Sequence, residues 1–419
     1  MSEPYPIRAI SEDEFPAYHA VSDQAFHSTR PADESMRREL LTFEADRSLA
    51  AFDGTEVVGV AGAYSFELTI PGGTARAAGV TSVSVLPSHR RRGILSSLMR
   101  RQLDDVHDRG EALAVLFASE AGIYRRFGYG PGSQTAEFTI GRGEGALVAD
   151  APADPAVRLR ITDPLAVRGE VAKVYDAVLP TRPGLFARDS RWWDDLLDDP
   201  EYRRRGTTAL RCVLAEDSTG PRGYALVRAR PAWQDGLPDA AIEVQELMAA
   251  DPAATAALWT DLLTRDLTSK LTADLRPADD PLLHLLADPR RARARVSDGL
   301  WVRLTDVGAA LGQRRYAAPV DVVIEVTDEF CPWNAGRWRL AVPPASAQPL
   351  AGLSGTCERT QAPAGVALPG YALGAAYLGG TRLAPLAEAG LVRELRPGSL
   401  AALSAALSWD PGPWCPQIF

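Results

Sequence analysis

The segment from Val83 to Ser96, V-S-V-L-P-S-H-R-R-R-G-I-L-S, has the composition of a phosphate-binding turn. An apolar, β-branched run ends in consecutive arginines and a glycine, and an amphipathic helix is predicted to begin directly afterwards. A helix start presents unpaired backbone N–H groups and the positive end of the helix dipole, which together bind phosphates. Gly93 allows the backbone to approach a pyrophosphate, and Arg91 and Arg92 add positive charge. The alternative is an ordinary basic helix start in an arginine-rich chain.

A second segment, Ala118 to Gly130 (A-S-E-A-G-I-Y-R-R-F-G-Y-G), places a tyrosine where ligands gather in open α/β sheets. The apolar run from Ala112 to Ala118 predicts a buried central strand, so Tyr124 is expected on a short helix at that strand's carboxyl end. A tyrosine hydroxyl with a pKa of ~10 can protonate a departing thiolate with a pKa of ~8.5. The alternative is a packed tyrosine whose hydroxyl caps a backbone group.

The last residues of the sequence, W-C-P-Q-I-F, are apolar and carry no polar tail. Chain ends usually fray unless they are tied down, so this segment is expected to dock onto the protein. An α-carboxylate has an ordinary pKa of ~3.5, and burial at Phe419 would raise that pKa and make the group a better proton acceptor. Simple hydrophobic anchoring of the last residues explains the same pattern.

Alternating strands and helices must position these segments within the first ~140 residues. Ser11 and Glu14 have the spacing of a capping box, which predicts a helix over Ser11 to Ala25. Apolar residues at helical spacing predict a second helix over Ile94 to Val106. The other predicted elements are hairpins across Asp53-Gly54 and Gly72-Gly73, a strand from Ala78 to Leu86, a helix from Gly122 to Phe127 and a final strand from Gln134 to Ile140.

The next part of the chain repeats this order of elements. Residues 141–156 are rich in Gly, Ala, Pro and Asp and predict a linker. Residues 157–305 then predict a helix, a hairpin, a strand (Ala241 to Met248) and a helix, as a diverged duplication would. Asp251 and Pro252 follow that strand where arginines and a glycine would be needed. An acidic turn repels a pyrophosphate, so we expect only the first half to bind one.

A third unit is predicted from residue 306 onward. Val320 to Thr327 and Gly336 to Val342 have the pattern of strands, and Ser399 to Leu407 (S-L-A-A-L-S-A-A-L) that of a helix opened by a serine cap. A shorter helix is predicted from Pro385 to Ala389, with Gly390 at its carboxyl cap.

Composition excludes several classes of protein. The 419 residues are 46% hydrophobic and 24% charged, as in folded globular proteins, and the net charge of −9 disfavours a general nucleic-acid binder. No apolar stretch is long enough to span a membrane, and the acidic amino terminus does not resemble a signal peptide. Four cysteines and five histidines are scattered without metal-ligand spacing, so we expect no disulfide framework and no metal in a cytoplasmic protein.

Together the two chemistry-bearing segments resemble the GNAT acetyltransferases, and most closely their enhanced intracellular survival (Eis) branch. The resemblance lies in R-R-R-G after a V-x-V strand, followed some twenty-five residues later by A-S-E-x-G-I-Y-x-R-F-G-Y-G. The general GNAT signature R/Q-x-x-G-x-G/A reads here from Arg90 to Leu95, with Leu95 in place of the last small residue. The resemblance extends over the whole chain.

The resemblance implies an α/β (α+β) fold with two tandem GNAT-like domains and a sterol-carrier-protein-like C-terminal domain. Residues 1–142 would form the catalytic domain that binds acetyl-CoA, and residues 157–305 a degenerate GNAT-like domain. Residues 306–419 would form the third domain and supply the C-terminal carboxylate. The implied assembly is a homohexamer built as a trimer of dimers.

The resemblance also implies a role for each site residue. Tyr124 would donate a proton to the CoA sulfur, and the terminal carboxylate of Phe419 would accept one from the substrate amine. Phe26 would form an aromatic wall of the amine pocket, although a core helix phenylalanine is the alternative. The residues implied in acetyl-CoA binding are Val83, Ser84 and Val85 for the pantetheine arm, Arg91, Arg92, Gly93, Ile94, Leu95 and Ser96 for the pyrophosphate, and Ser119 and Glu120 along the acetyl-CoA site.

The expected activity is direct acetyl transfer from acetyl-CoA to an amine in a ternary complex. The acceptor would be a small molecule, aminoglycoside-like or another polyamine, or a lysine side chain, with no nucleic-acid or membrane partner and no metal. Because Ser28 and Ile418 stand where the family can carry acids, amine preference would differ from that of aminoglycoside-modifying relatives. Two alternatives remain: a non-catalytic CoA- or lipid-binding scaffold, and an acyltransferase that uses a longer acyl donor.

Overall fold

The computed structural model describes residues 5–28, 32–344 and 352–419. The chain forms two compact units, and neither is continuous in sequence. The first contains Met1–Ser133, Gly299–Pro413 and Ile418–Phe419, and the second contains Gln134–Asp298 and Trp414–Gln417. Of the last six residues, four therefore belong to the second unit and two to the first.

Short helices and strands alternate along the described chain. The strands are β1 Ile7–Ala9, β2 Leu49–Asp53, β3 Glu56–Ile70, β4 Gly73–Val85, β5 Leu113–Phe117, β6 Gly130–Pro131, β7 Gln134–Gly141, β8 Arg158–Thr162, β9 Arg211–Asp217, β10 Gly220–Arg230, β11 Trp233–Gln234, β12 Leu237–Pro238, β13 Ala240–Ala249, β14 Thr268–Pro277, β15 Arg295–Asp298, β16 Leu300–Leu304, β17 Arg315–Tyr316, β18 Val320–Thr327, β19 Gly336–Val342, β20 Leu353–Ser354, β21 Thr356–Arg359, β22 Val366–Pro369 and β23 Arg393–Glu394. The helices are α1 Phe15–Ala25, α2 Ala32–Glu39, α3 Ile94–Asp108, α4 Ala121–Tyr124, α5 Arg168–Val178, α6 Ser190–Leu197, α7 Glu201–Arg204, α8 Pro252–Leu263, α9 Leu282–Leu285, α10 Val307–Gln313, α11 Gly370–Tyr377, α12 Leu383–Glu388 and α13 Ser399–Leu407.

The first unit is built on a sheet of order β1-β2-β3-β4-β5-β16-β6. Strands β3 and β4 form one long antiparallel hairpin, and the strand predicted from Ala78 to Leu86 is the second part of β4. The centre of this sheet is apolar. The predicted buried strand is present as β5, Leu113–Phe117, and it pairs in parallel with β4. Helix α3 buries Leu98, Met99 and Leu103 on one side, which confirms the predicted amphipathic helix.

Two strands, β7 and β16, do not pair in the sheet that their place in the sequence suggests. The predicted strand Gln134 to Ile140 is present as β7, but β7 pairs with β14 and β15 in the second sheet. In its place β16 pairs antiparallel with β5 and β6 in the first sheet. Alternating apolar residues predict a strand, but they do not specify which neighbour it pairs with. The first compact unit therefore includes Leu300–Leu304 and excludes Gln134–Asp298, whereas the predicted catalytic domain covers residues 1–142.

The second unit is built on a sheet of order β15-β7-β14-β13-β10-β9-β8. The predicted helix, hairpin, strand and helix of this region are all present, as α5, β9–β10, β13 and α8. One apolar cluster includes Leu258 and Trp259 of α8, and another includes Val171 and Tyr175 of α5. Both halves of the chain thus carry the same succession of elements.

The remaining elements of the first unit include a sheet of order β21-β19-β18-β22-β23. The predicted strands Val320–Thr327 and Gly336–Val342 are present as β18 and β19. The cap of α13 differs from the prediction, because Gly398, with φ of +83°, is the residue before the helix and Ser399 is its first residue. Helix α11 packs closely on β16, since a Cβ added at Gly374 would collide with the carbonyl of Val302.

No helix within residues 5–28, 32–344 and 352–419 has both the length and the apolar character needed to cross a membrane. The four cysteines are all free. In the same described ranges, no three His, Cys, Asp or Glu side chains are grouped so as to hold a metal ion.

Candidate active site

Strands β4 and β5 part early and leave a fork at their carboxyl ends. Their parallel pairing covers only Ala77–Gly79 on β4 and Leu113–Val115 on β5. Just beyond it, the β3–β4 ladder changes register by one residue, from Gly62↔Thr81 to Val60↔Ser84. Such a bulge bends a strand and increases its twist. We call the diverging residues Thr81–Val85 and Leu116–Phe117 the first fork.

Val83, Ser84 and Val85, the predicted pantetheine-binding residues, form the β4 side of the first fork. Ser82 at the bulge has φ of +52°, an uncommon conformation for a residue with a side chain. Beyond Gly79 this part of β4 has no parallel partner, so its outer edge offers backbone N–H and carbonyl groups to a ligand. An extended ligand with amide groups can pair with such an edge.

The turn between β4 and α3 exposes the start of the helix. Gly93 precedes α3 with φ of +85°, and its carbonyl accepts the first helical hydrogen bond from Ser97 N at 3.1 Å. No side chain in the described part of the chain caps this end, so the first-turn N–H groups of Ile94, Leu95 and Ser96 remain available. A Cβ at Gly93 would meet no atom within 4 Å, so glycine is required there for its conformation and not for space.

Arginine side chains surround this helix start. Arg90, Arg91 and Arg92 are exposed, and Arg91 has φ of +64°. The Arg92 guanidinium donates a hydrogen bond to the Tyr5 hydroxyl at 2.9 Å. Arg90 and Arg91 form no ion pair with any described residue, so their charge remains available to an anion. The predicted pyrophosphate residues are therefore brought together with the geometry and charge that such a group needs.

Tyr124 lies at the end of α4, which follows β5 at the carboxyl side of the first fork. Its ring is buried and packs edge-on against Tyr129, with ring centroids 6.0 Å apart. Burial, with a smaller contribution from the charge of Glu120, raises the pKa of Tyr124 to about 12. No described residue hydrogen-bonds to the Tyr124 hydroxyl, so it caps no backbone group there. Ser119 and Glu120 are exposed in the turn that leads into α4.

Phe419 docks in the first unit through its ring. The ring packs edge-on against Phe66, Phe117 and Tyr64, with centroid distances of 4.7, 5.6 and 6.4 Å. Phe117 is the last residue of β5, the strand that leads to Tyr124. The expected docking of the chain end is confirmed. Sequence reasoning missed Tyr64, Phe66 and Phe117, because no local signal connects strand residues to a position three hundred residues away.

The residues considered for binding the acceptor amine are exposed in the first unit. Phe26 follows the last residue of α1 and is 50% exposed, so the alternative of a core phenylalanine is wrong. Asp33 and Glu34 are exposed in the first turn of α2, as solvated surface residues are. Ile418 is also exposed. Phe26 as a pocket wall stays a prediction.

In the second unit, the turn that corresponds to the β4–α3 turn carries an acidic residue, Asp251, whose carboxylate is already hydrogen-bonded. Asp251 caps α8 by accepting a hydrogen bond from Ala254 N at 3.0 Å. Its two carboxylate oxygens also accept hydrogen bonds from the Arg222 guanidinium, each at 2.8 Å. Hydrogen bonds from Arg222 lower the pKa of Asp251, so the carboxylate remains ionised. A phosphate at this helix start would have to displace an acid that is already paired.

Comparison with known families finds acetyltransferase (GNAT) domains at residues 6–132 and 184–304 and a sterol carrier protein domain at 307–416. An uncharacterized N-acetyltransferase of Streptomyces avermitilis is 45% identical over 99% of both chains. N-acetyltransferase Eis of Mycobacterium tuberculosis is 35% identical over 85% of this chain and 84% of its own. The structure of Eis1 from Mycobacterium abscessus superposes with a TM-score of 0.81 at 34% identity, covering 99% of this chain and 100% of that one.

We predict that Gly93→Ala weakens acetyl-CoA binding more than it weakens the fold. A left-handed conformation costs an alanine about 1–2 kcal/mol, and relief of that strain would turn the first N–H groups away from the ligand. Gly110→Ala is the matched control, because Gly110 follows the other end of α3 with φ of +69° and equally open space. Thermal unfolding should shift similarly in both variants, whereas calorimetry should show lower affinity only in Gly93→Ala. Equal affinity in the two variants would contradict the assignment.

Proposed function

The chain belongs to the Eis family of GNAT N-acetyltransferases, and on that premise we propose that it transfers the acetyl group of acetyl-CoA directly to an amine. One observation carries the proposal: the first unit combines an open strand edge, an uncapped helix start and a buried tyrosine around the first fork. A GNAT reaction needs these three features, for the pantetheine arm, the pyrophosphate and the departing sulfur respectively. The transfer takes place in a ternary complex.

The residues around the first fork fit acetyl-CoA as a substrate. Val83, Ser84 and Val85 offer backbone groups on an edge that β5 does not cover, which suits the amides of the pantetheine arm. Arg91 and Arg92 supply charge at the start of α3, where Gly93 to Ser96 supply N–H groups for the pyrophosphate. Ser119 and Glu120 line the turn before α4. Acetyl-CoA supplies the activated thioester, and the protein holds it in place and supplies the groups that donate and accept protons.

Phe419 is the proposed proton acceptor. A solvated α-carboxylate, with a pKa of ~3.5, is a weak base for an ammonium group. The aromatic rings of Tyr64, Phe66 and Phe117 provide apolar surroundings for the Phe419 ring, and removal of water from a carboxylate raises its pKa. This packing fixes the position of the last residue, as a terminal carboxylate that accepts a proton at a defined place requires.

Tyr124 is the proposed proton donor. Because burial raises the pKa of Tyr124 to about 12, its hydroxyl remains protonated over the whole neutral range. The ammonium substrate loses one proton to the Phe419 carboxylate, and the nitrogen then forms a bond to the acyl carbon. As the C–S bond breaks, the thiolate takes the Tyr124 proton. A second proton leaves the nitrogen and returns to Tyr124 through solvent, which restores the hydroxyl, and the Phe419 carboxyl group releases its proton to solvent.

The acceptor is proposed to be an amine of a small molecule, aminoglycoside-like or another polyamine, or a lysine side chain. Phe26 suits one wall of its pocket, because a large aromatic ring that is half exposed packs well against the alkyl part of an amine. We also propose a cytoplasmic homohexamer, a trimer of dimers, by resemblance to the family. The apolar side chains of Trp233 and Leu237, each 69% exposed, are surface that assembly would cover.

A panel of amines with acetyl-CoA, propionyl-CoA and a longer acyl-CoA tests the function. Release of free thiol that depends on both an amine and acetyl-CoA is the expected result, together with an acetylated amine of the corresponding mass. Faster thiol release from a longer acyl-CoA would show that the protein is an acyltransferase that prefers a longer acyl donor. Binding of acetyl-CoA without thiol release from any amine would instead favour the non-catalytic scaffold.

We predict that Tyr124→Phe lowers turnover by about 10²–10⁴, the usual effect of losing a general acid, and leaves acetyl-CoA affinity unchanged. Tyr129→Phe is the matched control, because the Tyr129 hydroxyl is also buried and has no hydrogen-bond partner among the described residues. That variant should retain full turnover. Steady-state kinetics and calorimetry on both proteins provide the measurement. Equal turnover in the two variants would remove Tyr124 from the mechanism.

We predict that a Gly-Ser extension after Phe419 nearly abolishes acetyl transfer. The extension replaces the carboxylate of Phe419 by a neutral amide, which cannot accept the ammonium proton. Phe419→Leu keeps the carboxylate while it loses the aromatic contacts, and should retain more turnover than the extended protein. An amino-terminal tag of equal length should have little effect. Turnover is compared among the four proteins, with sedimentation to confirm assembly; full activity after the extension would leave Phe419 only a packing role.

A further inference from the structure

An open cavity of about 430 Å³ lies along the exposed side of α3, beside the helix start assigned to the pyrophosphate. Its volume is within the range of small-molecule binding sites. We call it the α3 cavity, and its wall includes Ile7, Ser96, Arg100, Arg101, Asp104 and Phe330. All six residues belong to the first unit. Ser96 also carries one of the free N–H groups at the helix start, so the cavity begins next to the proposed pyrophosphate site.

Arg100 supplies the α3 cavity with a guanidinium that pairs with no described acid. On the same helix Arg101 donates a hydrogen bond to Asp105 at 2.9 Å, the usual pairing of opposite charges four residues apart. Arg100 and Asp104 have the same spacing, yet neither side chain forms a hydrogen bond or ion pair with any residue that the structure describes. The Arg100 guanidinium lies instead 3.9 Å from the centre of the Phe330 ring. A guanidinium in that position keeps its N–H donors for an anion.

Phe330 is held in place from two sides, although it is far from α3 in sequence. Its ring packs edge-on against Phe127, with ring centroids 4.9 Å apart. The turn that carries it is fixed by Asp328, whose carboxylate accepts hydrogen bonds from Arg303 at 2.8 Å and from Cys331 N at 2.9 Å. Arg303 is part of β16 in the first sheet. The aromatic support under the guanidinium is therefore preorganised, which reduces the entropy lost when a ligand binds.

The position of the α3 cavity matches one end of acetyl-CoA. Beyond the pyrophosphate, CoA continues as a ribose that bears an adenine ring and a 3′-phosphate. With the pyrophosphate at the N–H groups of Ser96 and its neighbours, this end of CoA lies about one sugar's length away. Arg100 is four residues further along α3 than Ser96, which is about 6 Å at the rise of a helix. A phosphate and a guanidinium form charge-assisted hydrogen bonds, which are about twice as strong as neutral ones.

We propose that the α3 cavity binds the 3′-phosphoadenosine end of acetyl-CoA and that Arg100 selects for the 3′-phosphate. Phe330 is a positioning residue, because its ring supports the Arg100 guanidinium. The Asp104 carboxylate suits the adenine amino group, which is a hydrogen-bond donor. This inference rests on the proposed function, since it takes acetyl-CoA to bind at the start of α3. Phe330 belongs to the sterol carrier protein domain, which thus takes part in recognising the acetyl donor.

Calorimetry with CoA and 3′-dephospho-CoA tests the assignment, because the two ligands differ only in the 3′-phosphate. We expect the parent protein to bind CoA about tenfold more tightly, as one charge-assisted hydrogen bond allows. Arg100→Gln should lose this preference, because its affinity for CoA falls about tenfold while its affinity for 3′-dephospho-CoA stays unchanged. Phe330→Leu should keep a preference of about threefold, since Arg100 remains but loses its aromatic support.

Arg359→Gln is the matched control within the first unit. The Arg359 guanidinium also lies over an aromatic ring, 4.2 Å from the centre of the Trp338 ring, but Arg359 belongs neither to the wall of the α3 cavity nor to the proposed acetyl-CoA site. This variant should retain the full preference for CoA over 3′-dephospho-CoA. Thermal unfolding of every variant shows whether a lower affinity reflects a loss of folded protein.

Equal affinity of the parent protein for the two ligands would overturn the inference, and so would a preference that persists in Arg100→Gln. Loss of the preference in Arg359→Gln as well would show that Arg100 acts indirectly, which contradicts its assignment. The amine panel separates this inference from the proposed function. Amine acetylation with equal KM for acetyl-CoA and its 3′-dephospho form would contradict only the α3 cavity. An intact preference without acetylation of any amine would contradict only the proposed transfer, and failure to bind either ligand would overturn both.

Discussion

The early end of the pairing between β4 and β5 is the constraint on which the candidate site depends. Three paired residues hold the two strands together before the bulge at Ser82 bends β4 away. Had the ladder continued, the backbone groups of Val83 and Val85 would have been satisfied by β5, and the strand edge would have had nothing to offer a ligand. The same divergence places the start of α3 and the turn before Tyr124 on opposite sides of one opening.

The exchanged strand β16 makes this opening one-sided. Since β16 pairs with the other edge of β5, that edge is covered and only the side toward β4 can accept a ligand. Arg303 of β16 is buried and forms an ion pair with Asp328 through two contacts of 2.7 and 2.8 Å. Breaking a buried pair by removing one partner is expensive, so this contact ties β16 firmly to the rest of the first unit.

The two halves of the chain show how charge decides the use of one backbone shape. In each half the central parallel pair of strands, β4 with β5 or β13 with β14, stops pairing next to a one-residue bulge. A helix, α3 or α8, begins soon after the bulged strand. In the first half the turn carries Arg90 and Arg91, which pair with no described acid, and a helix start that no described side chain caps, and both features suit a phosphate. In the second half Asp251 caps the helix and pairs with Arg222. Beyond the paired part of β13 and β14, Arg276 donates a hydrogen bond to the Leu247 carbonyl and Trp414 donates one to the Leu275 carbonyl. A few residues at these positions therefore distinguish a helix start that can bind a phosphate from one whose groups are already paired within the protein.

The local elements and the chemistry of the first half could be predicted from the sequence. Periodicity located α3 and β5, the residues around Gly93 predicted an anion-binding helix start, and the segment around Tyr124 identified the family. These features depend on neighbouring residues, whose spacing and charge are visible in the chain. Asp251 likewise revealed that the second half differs.

The sheet to which each of β7 and β16 belongs, and the place where Phe419 docks, depend on contacts between distant parts of the chain. A strand pattern such as that of β7 fits either sheet, because the choice of partner depends on packing against residues far away in sequence. The same holds for Phe419 among Tyr64, Phe66 and Phe117, and for Trp414 against Leu275. Contacts between distant segments arise from complementary shapes and unsatisfied backbone groups that exist only after the sheets have formed.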